Sequence, residues 1–383
     1  MQRSYYLHQI ENKFQVNPVV AILGPRQCGK TTLAKMYAEK LTSESIHHFD
    51  LEDPIDLVRL ENPKLTLEPL QCLIIIDEIQ YAPNLFKLIR VLVDKKPLEQ
   101  RYLILGSASR ELIKQSAESL AGRISYLELT PFSYSETQDL TKLWLRGGFP
   151  KSYLATTIEN SYEWRESYIT TYLEHDLPAL GIQIAPQSLR RFWEMLAHYH
   201  GNILNASELG RSFGCADTTI RRYLDILAGT FMIRQLQPWH ANINKRQVKS
   251  AKIYFRDSGL FHALLRIKTW DELQRNIKLG ASWEGFALEE IIRIHHVKPH
   301  DCYFWQTHSG AELDLLLTLD NKKTGFEFKY ADAPKTTKSM HISLEDLNLY
   351  HLYVIYPGNV DYMLTDKISV CGLKNYLARS LAG

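Results

Sequence analysis

A short stretch near the amino terminus, VAILGPRQCGKTT, contains glycine, lysine and threonine at the spacing G-x-x-x-x-G-K-[ST]. Glycine at these positions lets the backbone turn tightly and direct successive N–H groups at phosphate oxygens. Lys30 is then placed to reach the β- and γ-phosphates of a nucleotide, and the Thr31 hydroxyl to ligate Mg²⁺. The predicted nucleotide contacts are Gly24, Pro25, Arg26, Gln27, Cys28, Gly29, Lys30, Thr31 and Thr32. Cys28 is expected to present only its backbone.

A second stretch, QCLIIIDEIQ, places an apolar, partly β-branched run directly before Asp77 and Glu78. Such a run is typical of a central parallel strand that is buried on both faces. Ligands of open α/β sheets bind at the carboxyl ends of strands, so we expect Asp77 beside the phosphates, completing the Mg²⁺ shell. Glu78 is then placed to polarise the attacking water, and the pair predicts hydrolysis of the nucleotide.

A third apolar run, RYLILGSAS, ends in small polar residues. Ser107 or Ser109 is expected between the two motifs, where either hydroxyl could sense the γ-phosphate or orient water. Arg123, in LAGRISYLELTPFSYSE, is a candidate for the arginine that stabilises transition-state charge, in the same chain or from a neighbouring subunit. A salt-bridged surface arginine explains Arg123 equally well.

The middle of the chain has the pattern of a helix-turn-helix, NASELGRSFGCADTTIRRYLDIL, followed by two strand-like runs that could form a wing. Apolar residues share one face of the second helix, which leaves Thr219, Arg221 and Arg222 outside. Residues 190–256 contain eleven Lys and Arg against four Asp and Glu, a net charge of +7. This charge favours contacts with DNA phosphates, although winged helices also serve as protein-docking modules.

The last third contains spaced acidic residues: Glu284 in a helical pattern, Asp314 in a strand pattern, and Glu327 two residues before Lys329 in the next strand. This order resembles the PD-(D/E)XK nuclease superfamily. Asp314 and Glu327 are expected to hold Mg²⁺ with support from Glu284, and Lys329 to orient the water. Both a working nuclease and a fold that has lost cleavage remain open.

The chain has 383 residues and a net charge of only +2. It is long enough to bury a sizeable core and to form the elements that must position these residues. Five scattered cysteines without CxxC spacing favour a reducing compartment, and no apolar run reaches membrane-spanning length. We therefore expect a cytoplasmic protein. The predicted domains are 1–150 (P-loop ATPase), 151–258 (helical segment and winged helix-turn-helix) and 259–383 (nuclease-like).

The ordered motifs GPRQCGKTT, IIIDEIQYAPNLF, ILGSAS, LAGRI and LTPFSYSE resemble a family of bacterial and archaeal AAA+ ATPases with a C-terminal domain of unknown function numbered 4143. The resemblance continues through YFRDSGLFHALL, WEGFALEE, GAELDLLL and FEFK, so it covers nearly the whole chain. It implies an α/β P-loop domain with a parallel sheet, a winged helix-turn-helix and a restriction-endonuclease-like α/β domain.

Together these patterns predict an ATPase that uses ATP and Mg²⁺ and whose nucleotide state controls how the winged helix and the nuclease-like domain engage DNA. The alternative is a nucleotide-dependent regulatory switch that docks a protein partner and whose nuclease-like fold is catalytically inactive. Homo-oligomerisation is compatible with either interpretation, and no membrane contact is expected.

Overall fold

A computed structural model describes the chain except for residues 2, 42–43, 108–115, 117, 180–183, 242–244 and 383. Contacts divide the chain into two compact units: unit 1 is Met1–Phe132 with Gly229–Phe231, and unit 2 is Ser133–Ala228 with Met232–Gly383. None of the described helices combines the length and the apolar character that a bilayer crossing requires.

Unit 1 is built on a five-stranded parallel sheet, as the apolar runs predict. Its strands are β1 (Val19–Gly24), β2 (Ile46–Asp50), β3 (Cys72–Asp77), β4 (Gln100–Ser107) and β5 (Ile124–Glu128). They lie in the order β2-β3-β4-β1-β5, and every pairing is parallel. Because β4 lies between β1 and β3, the carboxyl ends of these three strands meet at one edge of the sheet.

Helices cover both faces of this sheet, and the alternation of side chains along β1 shows how. Val19 and Ala21 pack into one apolar cluster, which includes the helix Leu85–Val93. Val20 and Ile22 point the other way, into a cluster with the helices Ser4–Val16 and Lys30–Lys40. Among the described residues, this unit also contains the helices Pro54–Arg59 and Pro63–Leu67 and a 3₁₀ turn at Ile79–Tyr81. Burial on both faces is the reason why these strands are continuously apolar.

Unit 2 begins with helices packed around an aromatic-rich core that includes Phe149, Tyr172 and Trp193. Its helices before the large sheet are Tyr134–Thr137, Leu140–Arg146, Pro150–Tyr153, Ile158–Thr171, the π-helix Tyr172–Asp176, Leu177–Ala179, Pro186–His198, Ala206–Phe213 and Asp217–Gly229. The last two are the predicted helix-turn-helix pair. Gly214 between them has φ +76°, a left-handed conformation that glycine adopts without strain.

An eight-stranded mixed sheet forms the rest of unit 2. Its strands are β6 (Ile233–Pro238), β7 (Lys252–Phe255), β8 (Cys302–Gln306), β9 (Glu312–Leu319), β10 (Lys322–Phe328), β11 (His351–Tyr356), β12 (Tyr362–Thr365) and β13 (Ile368–Gly372). They lie in the order β12-β13-β11-β10-β9-β8-β6-β7. The accompanying helices are Ser258–Leu264, Trp270–Gln274, Leu279–Ile294, Lys338–Asp346 and Leu373–Ala382, with a 3₁₀ turn at Pro299–Asp301.

Two strand pairs in this sheet decide which side chains meet. β9 and β10 form the predicted hairpin through Asp320 and Asn321, both with positive φ, which suits the twist of a two-residue turn. β6 and β7 pair antiparallel, as the two strand-like runs predict, and β6 also pairs with β8. The two strands therefore extend the large sheet, and β7 joins the part of unit 2 that carries the acidic residues. The winged-helix interpretation itself stays a prediction.

Candidate functional site

The loop between β1 and the helix Lys30–Lys40 has the backbone that a phosphate cradle needs. Gly29 has φ +98°, a conformation that side chains strongly disfavour, and the helix begins at the next residue. A Cβ added to Gly24 would lie 2.2 Å from the Leu129 carbonyl oxygen, so no larger residue fits there. The first N–H groups of the helix have no partner within it and favour an anion at this end.

The Lys30 side chain is 5% exposed and folds along this loop. Its ammonium donates to the carbonyl oxygens of Gly24 at 3.2 Å and Pro25 at 3.0 Å. Both acceptors are neutral. An anionic phosphate oxygen is a stronger acceptor for an ammonium group than a carbonyl oxygen, so these contacts are ones that a phosphate group can replace.

Thr31 and Asp77 meet across the carboxyl ends of the sheet. The Thr31 hydroxyl donates to Asp77 Oδ2 at 2.6 Å, and the Glu78 backbone N–H donates to Asp77 Oδ1 at 2.9 Å. Burial raises the pKa of Asp77, and the hydrogen bond from Thr31 opposes that rise. A hydroxyl and a carboxylate are oxygen ligands of the kind that Mg²⁺ prefers, so this pair fits the predicted metal of a nucleotide site.

Glu78 and Ser107 are linked through a residue that the sequence reasoning missed. Gln80 uses one amide nitrogen to contact Glu78 Oε2 and to donate to Ser107 Oγ at 3.2 Å. Ser107 lies beside Gly24 in the β1–β4 register, as expected for a sensor between the two motifs. Ser109 lies outside the described residues. The sequence signal for this contact is that Gln80 follows Glu78 by two positions.

Arg3 is a second residue that the sequence reasoning missed. It is 4% exposed, and its guanidinium donates to the Cys28 carbonyl at 3.0 Å and to the Thr130 carbonyl at 2.8 Å. The Cys28 thiol is fully buried and donates to the Leu129 carbonyl at 3.6 Å. The underside of the loop is thereby fixed from two directions. A lone arginine near the amino terminus carries no spacing signal that could have revealed this.

The remaining loop residues lie nearer the surface. Arg26 donates to Glu52 Oε1 at 2.7 Å, whereas Gln27 and Thr32 are exposed. The Arg26 guanidinium is therefore paired with a carboxylate, and the predicted part of these three residues in nucleotide binding rests on their backbone.

Arg123 lies at the opposite edge of the sheet from the loop. It directly precedes β5, and its carbonyl accepts from the Val19 N–H at the start of β1. Its guanidinium is bidentate to Asp94, at 2.5 and 2.9 Å. A full strand length separates the two ends of a parallel strand pair, so the structure does not bring Arg123 to the loop of the same chain, and its action on a nucleotide stays a prediction. Action from a neighbouring subunit stays a prediction.

The predicted DNA-contacting residues lie on the helix Asp217–Gly229. Arg221 and Arg222 are exposed, Thr219 is half-buried, and Ile220 and Leu224 turn into the core. Part of the positive charge counted around this helix is not available to a ligand. Arg234 contacts Glu289 at 2.5 Å and Lys252 is 5% exposed, so the count of +7 overstates the charged surface.

The four residues predicted to form a nuclease-like centre do converge in unit 2. Asp314 on β9 and Glu327 on β10 are 4% and 1% exposed, and the Phe328 N–H donates to Asp314 Oδ2 at 3.1 Å. Lys329 Nζ lies 2.9 Å from Glu327 Oε2. Glu284, on the helix Leu279–Ile294, accepts from the Tyr254 hydroxyl at 2.6 Å.

The residue that the sequence reasoning missed in this cluster is Lys252, on β7. Its ammonium lies 3.5 Å from Asp314 Oδ1 and 3.9 Å from Glu284 Oε1. We call Lys252, Glu284, Asp314, Glu327 and Lys329 the carboxylate–lysine cluster. Among the described residues, no group of three or more His, Cys, Asp and Glu side chains has the arrangement to hold a metal ion. The predicted Mg²⁺ ligation by Glu284, Asp314 and Glu327 stays a prediction.

Electrostatics in the carboxylate–lysine cluster follow from burial. Burial and the nearby Asp314 raise the pKa of Glu284 to about 7 and that of Glu327 to about 8. Burial alone lowers the pKa of Lys252, but Glu284 and Asp314 outweigh it and raise that pKa to about 12. The lysine therefore stays charged, while Glu284 and Glu327 hold protons more readily than usual.

Family models match successive parts of the chain. A model described as "AAA domain" matches residues 16–138, which contain the loop, Asp77, Glu78 and Ser107. Two domains of unknown function, DUF8612 and DUF4143, match residues 137–271 and 279–376. The AAA and DUF4143 parts of the predicted resemblance are confirmed, whereas a PD-(D/E)XK fold for the last part stays a prediction.

Among solved structures, the Walker-type ATPase PABY2304 of Pyrococcus abyssi is 14% identical, with a TM-score of 0.47 over 69% of this chain and 95% of that one. The RuvB Holliday junction branch migration motor of Thermotoga maritima is 18% identical, with a TM-score of 0.33 over 61% and 90%. Neither TM-score reaches 0.5, so no property of either protein is carried over to this chain.

Two curated mycobacterial proteins are much more similar in sequence. The uncharacterized proteins Rv2008c of Mycobacterium tuberculosis and Mb2031c of Mycobacterium bovis are each 47% identical over 353 residues, which is 92% of this chain and 79% of theirs. The chain belongs to one family with these two mycobacterial proteins, and residues 16–138 form its AAA-type P-loop domain.

Proposed function

We propose that the AAA domain binds ATP with Mg²⁺ and hydrolyses it. The observation that carries this proposal is the 2.6 Å hydrogen bond between Thr31 and Asp77, made directly beside Lys30 at the start of the helix Lys30–Lys40. A lysine, a hydroxyl and a carboxylate at the carboxyl edge of a parallel sheet are the groups that phosphoryl transfer requires of a P-loop protein.

In this proposal each side chain has one task. Lys30 leaves the Gly24 and Pro25 carbonyl oxygens and donates to phosphate oxygens, while Thr31 and Asp77 ligate Mg²⁺, which supplies charge neutralisation for the developing phosphate charge. Glu78 orients the attacking water. Ser107, held by Gln80, is the hydroxyl placed to respond to the γ-phosphate.

The test is a measurement of ATP binding and phosphate release by Lys30→Ala and Lys35→Ala. Lys35 lies on the same helix but is exposed, so its removal controls for lost positive charge. We expect Lys30→Ala to abolish binding and Lys35→Ala to keep it. Equal binding by both variants, with Thr31→Ala also unaffected, would contradict the proposal.

A second proposal concerns what the ATPase controls. We infer that unit 2 acts as a nucleotide-controlled regulatory module that does not cleave nucleic acid. The observation that favours this alternative over a working nuclease is the position of Lys252, because its ammonium already balances Asp314 and Glu284 at 3.5 and 3.9 Å. A second cation of higher charge would have to enter a buried place that this ammonium occupies.

A cleavage assay tests the second proposal. Supercoiled DNA is incubated with the full chain and Mn²⁺ or Mg²⁺, and nicking is compared with that of Asp314→Asn. We expect the two proteins to give the same background. Nicking by the parent chain that Asp314→Asn abolishes would show a working nuclease and would refute this proposal, while leaving the ATPase proposal untouched.

A further inference from the structure

The Lys252 side chain is surrounded by acidic groups that come from separate elements. Glu284 lies on the helix Leu279–Ile294, Asp314 on β9, and Lys252 itself on β7. The Lys252 ammonium also lies 5.5 Å from the centre of the Phe304 ring, whose face attracts a cation. A single positive charge is therefore enclosed by two carboxylates and an aromatic face, in a place where the lysine is 5% exposed.

The oxygens of Asp314 and Glu327 are unequally satisfied. Asp314 uses Oδ2 to accept from the Phe328 N–H and Oδ1 to meet Lys252. Glu327 uses Oε2 to meet Lys329, but its other oxygen, Oε1, is buried and has no hydrogen-bond partner among the described residues. A buried carboxyl oxygen left without a hydrogen-bond partner is costly, which indicates a site that can accept one more ligand.

We propose that Lys252 is a tethered cation that takes the place of a divalent metal ion, and that the carboxylate–lysine cluster is a latent metal site which opens when Lys252 is removed. The metal that this site would take is a hard divalent cation such as Mg²⁺ or Mn²⁺, since its donors are carboxylate oxygens. The proposal rests on the inference that unit 2 does not cleave nucleic acid, and it gives that inference a physical cause.

In competition with a free metal ion for the position between the carboxylates, Lys252 is favoured for two reasons. A cation that is attached to the chain is present at a high effective concentration, whereas a free ion must be captured from solution. The ammonium also already occupies the position next to Asp314 Oδ1, from which it lies 3.5 Å away. With the charge of Lys252 gone, the carboxylates repel one another, and the ammonium left in the cluster is that of Lys329, which lies 2.9 Å from Glu327 Oε2.

The experiment measures Mn²⁺ binding by calorimetry and by the loss of the free-ion EPR signal. The full chain carries Lys30→Ala throughout to silence the nucleotide site. Five proteins are compared on that background: the parent, Lys252→Gln, Lys252→Arg, Lys252→Gln with Asp314→Asn, and Lys249→Gln. Glutamine at 252 removes the charge but keeps a donor for Asp314, and Lys249 is an exposed lysine that controls for net charge.

We expect Lys252→Gln to bind one Mn²⁺ at least tenfold more tightly than the parent, Lys252→Arg and Lys249→Gln do, and we expect Asp314→Asn to abolish the gain. A folded Lys252→Gln that binds no better than the parent overturns the proposal but leaves the non-cleaving role standing. A parent chain that binds Mn²⁺ as tightly as Lys252→Gln also overturns the proposal, and the nicking assay then decides separately whether unit 2 cleaves nucleic acid.

Folding is followed by circular dichroism because removal of one partner from a buried ion pair is strongly destabilising. If Lys252→Gln is unfolded in EDTA but folds when Mn²⁺ is added, the metal has replaced the lysine charge and the proposal is supported. If it is unfolded under both conditions, a metal cannot stand in for Lys252 and the proposal is wrong.

Discussion

The two candidate sites both place a carboxylate in or at the end of a buried strand, yet they differ in what meets it. Asp77 in unit 1 accepts hydrogen bonds from two neutral donors, the Thr31 hydroxyl at 2.6 Å and the Glu78 N–H at 2.9 Å. Asp314 in unit 2 lies 3.5 Å from an ammonium group, and Glu327 beside it lies 2.9 Å from another. Within the described part of the chain, no ion pair at contact distance involves Asp77, whereas Asp314 already lies against an ammonium group.

This difference separates a site that is prepared for a charged ligand from one that is internally balanced. In unit 1 the lysine donates to carbonyl oxygens, so a phosphate group and Mg²⁺ can arrive together without breaking an ion pair. In unit 2 any new cation must first displace one that is covalently attached. Similar acidic motifs in the sequence can therefore have opposite roles, and the position of the nearest lysine decides between them.

The largest effect is expected for the change Glu78→Gln, which tests whether unit 1 is a reactive site. Glutamine keeps the size of the side chain but loses the charge that polarises water, so ATP turnover should fall by about 100-fold or more while ATP binding is kept. Turnover is measured by phosphate release and binding by calorimetry. Glu39→Gln, on the exposed side of the helix Lys30–Lys40, is the matched control. Turnover of ATP by Glu78→Gln at the wild-type rate would contradict the proposed catalytic role of Glu78 in unit 1.

The next prediction concerns two exposed positive charges in unit 2, in contrast to the buried charges of the carboxylate–lysine cluster. If Arg221 and Arg222 contact DNA phosphates, the affinity for a DNA duplex should fall by about 0.9 log unit per log unit of salt for each contact. The double variant Arg221→Ala/Arg222→Ala should flatten that slope by about 1.8. Fluorescence anisotropy across a salt series measures it.

Arg211→Ala, on the preceding helix and also exposed, controls for charge alone. An unchanged slope in the double variant would assign the helix Asp217–Gly229 to protein docking instead.

A further effect is expected from the pH dependence of the stability contributed by the carboxylate–lysine cluster. The pKa of Glu327 is raised from its ordinary value near 4.5 to about 8. Between these pH values the folded chain holds more protons than the unfolded chain, so the free energy of unfolding falls as the pH rises. Glu327→Gln removes this loss and should gain stability relative to the parent between pH 5 and pH 8.

Urea unfolding in EDTA at pH 5, 6.5 and 8 measures the effect. Glu345→Gln, an exposed carboxylate on the helix Lys338–Asp346, is the control. Parallel pH profiles of the parent and Glu327→Gln would mean that Glu327 is ionised throughout this range. The positive charge beside Glu327 would then have to lower its pKa more strongly than the carboxylate–lysine cluster does here.

The parts of the fold that the sequence predicts well are those in which local pattern and burial agree. The run CLIIID forms β3, the run before GPRQCGKTT forms β1, and Asp320 and Asn321 make the turn of the β9–β10 hairpin. Glycine spacing predicts the loop because a positive φ at Gly29 is a local requirement. These predictions depend on residues that are neighbours in the chain.

The contacts that the sequence could not predict join residues far apart in the chain. Arg3 reaches the Cys28 carbonyl from the start of a helix, and Lys252 on β7 reaches Asp314 on β9, a strand that is not its neighbour in the sheet. No local pattern encodes either contact. Lys252 lies in a segment whose charge predicts a basic surface. A count of charges along the sequence cannot distinguish a buried lysine from an exposed one. The sequence therefore predicts the carboxylates of unit 2 but not the cation that balances them.

The smallest expected effect separates the two interpretations of Arg123. Its bidentate contact with Asp94, at the amino ends of the strands, is a surface ion pair, and Arg123→Ala should leave ATP turnover within about twofold of the parent. An arginine that acts on the γ-phosphate is worth 10³-fold or more, so even a modest role would be visible.

A mixing experiment removes the remaining alternative, which is action on a neighbouring subunit. Arg123→Ala keeps its own loop intact, and Lys30→Ala keeps its own Arg123. If Arg123 served a second copy of the chain, mixing the two variants would restore activity well above the sum of the separate proteins, because Arg123 of the Lys30→Ala chain could act at the intact loop of the Arg123→Ala chain. We expect no such gain. In that case Arg123, like Lys252, is a charge matched by its own chain, and the reactive charges of unit 1 are confined to the carboxyl edge of its sheet.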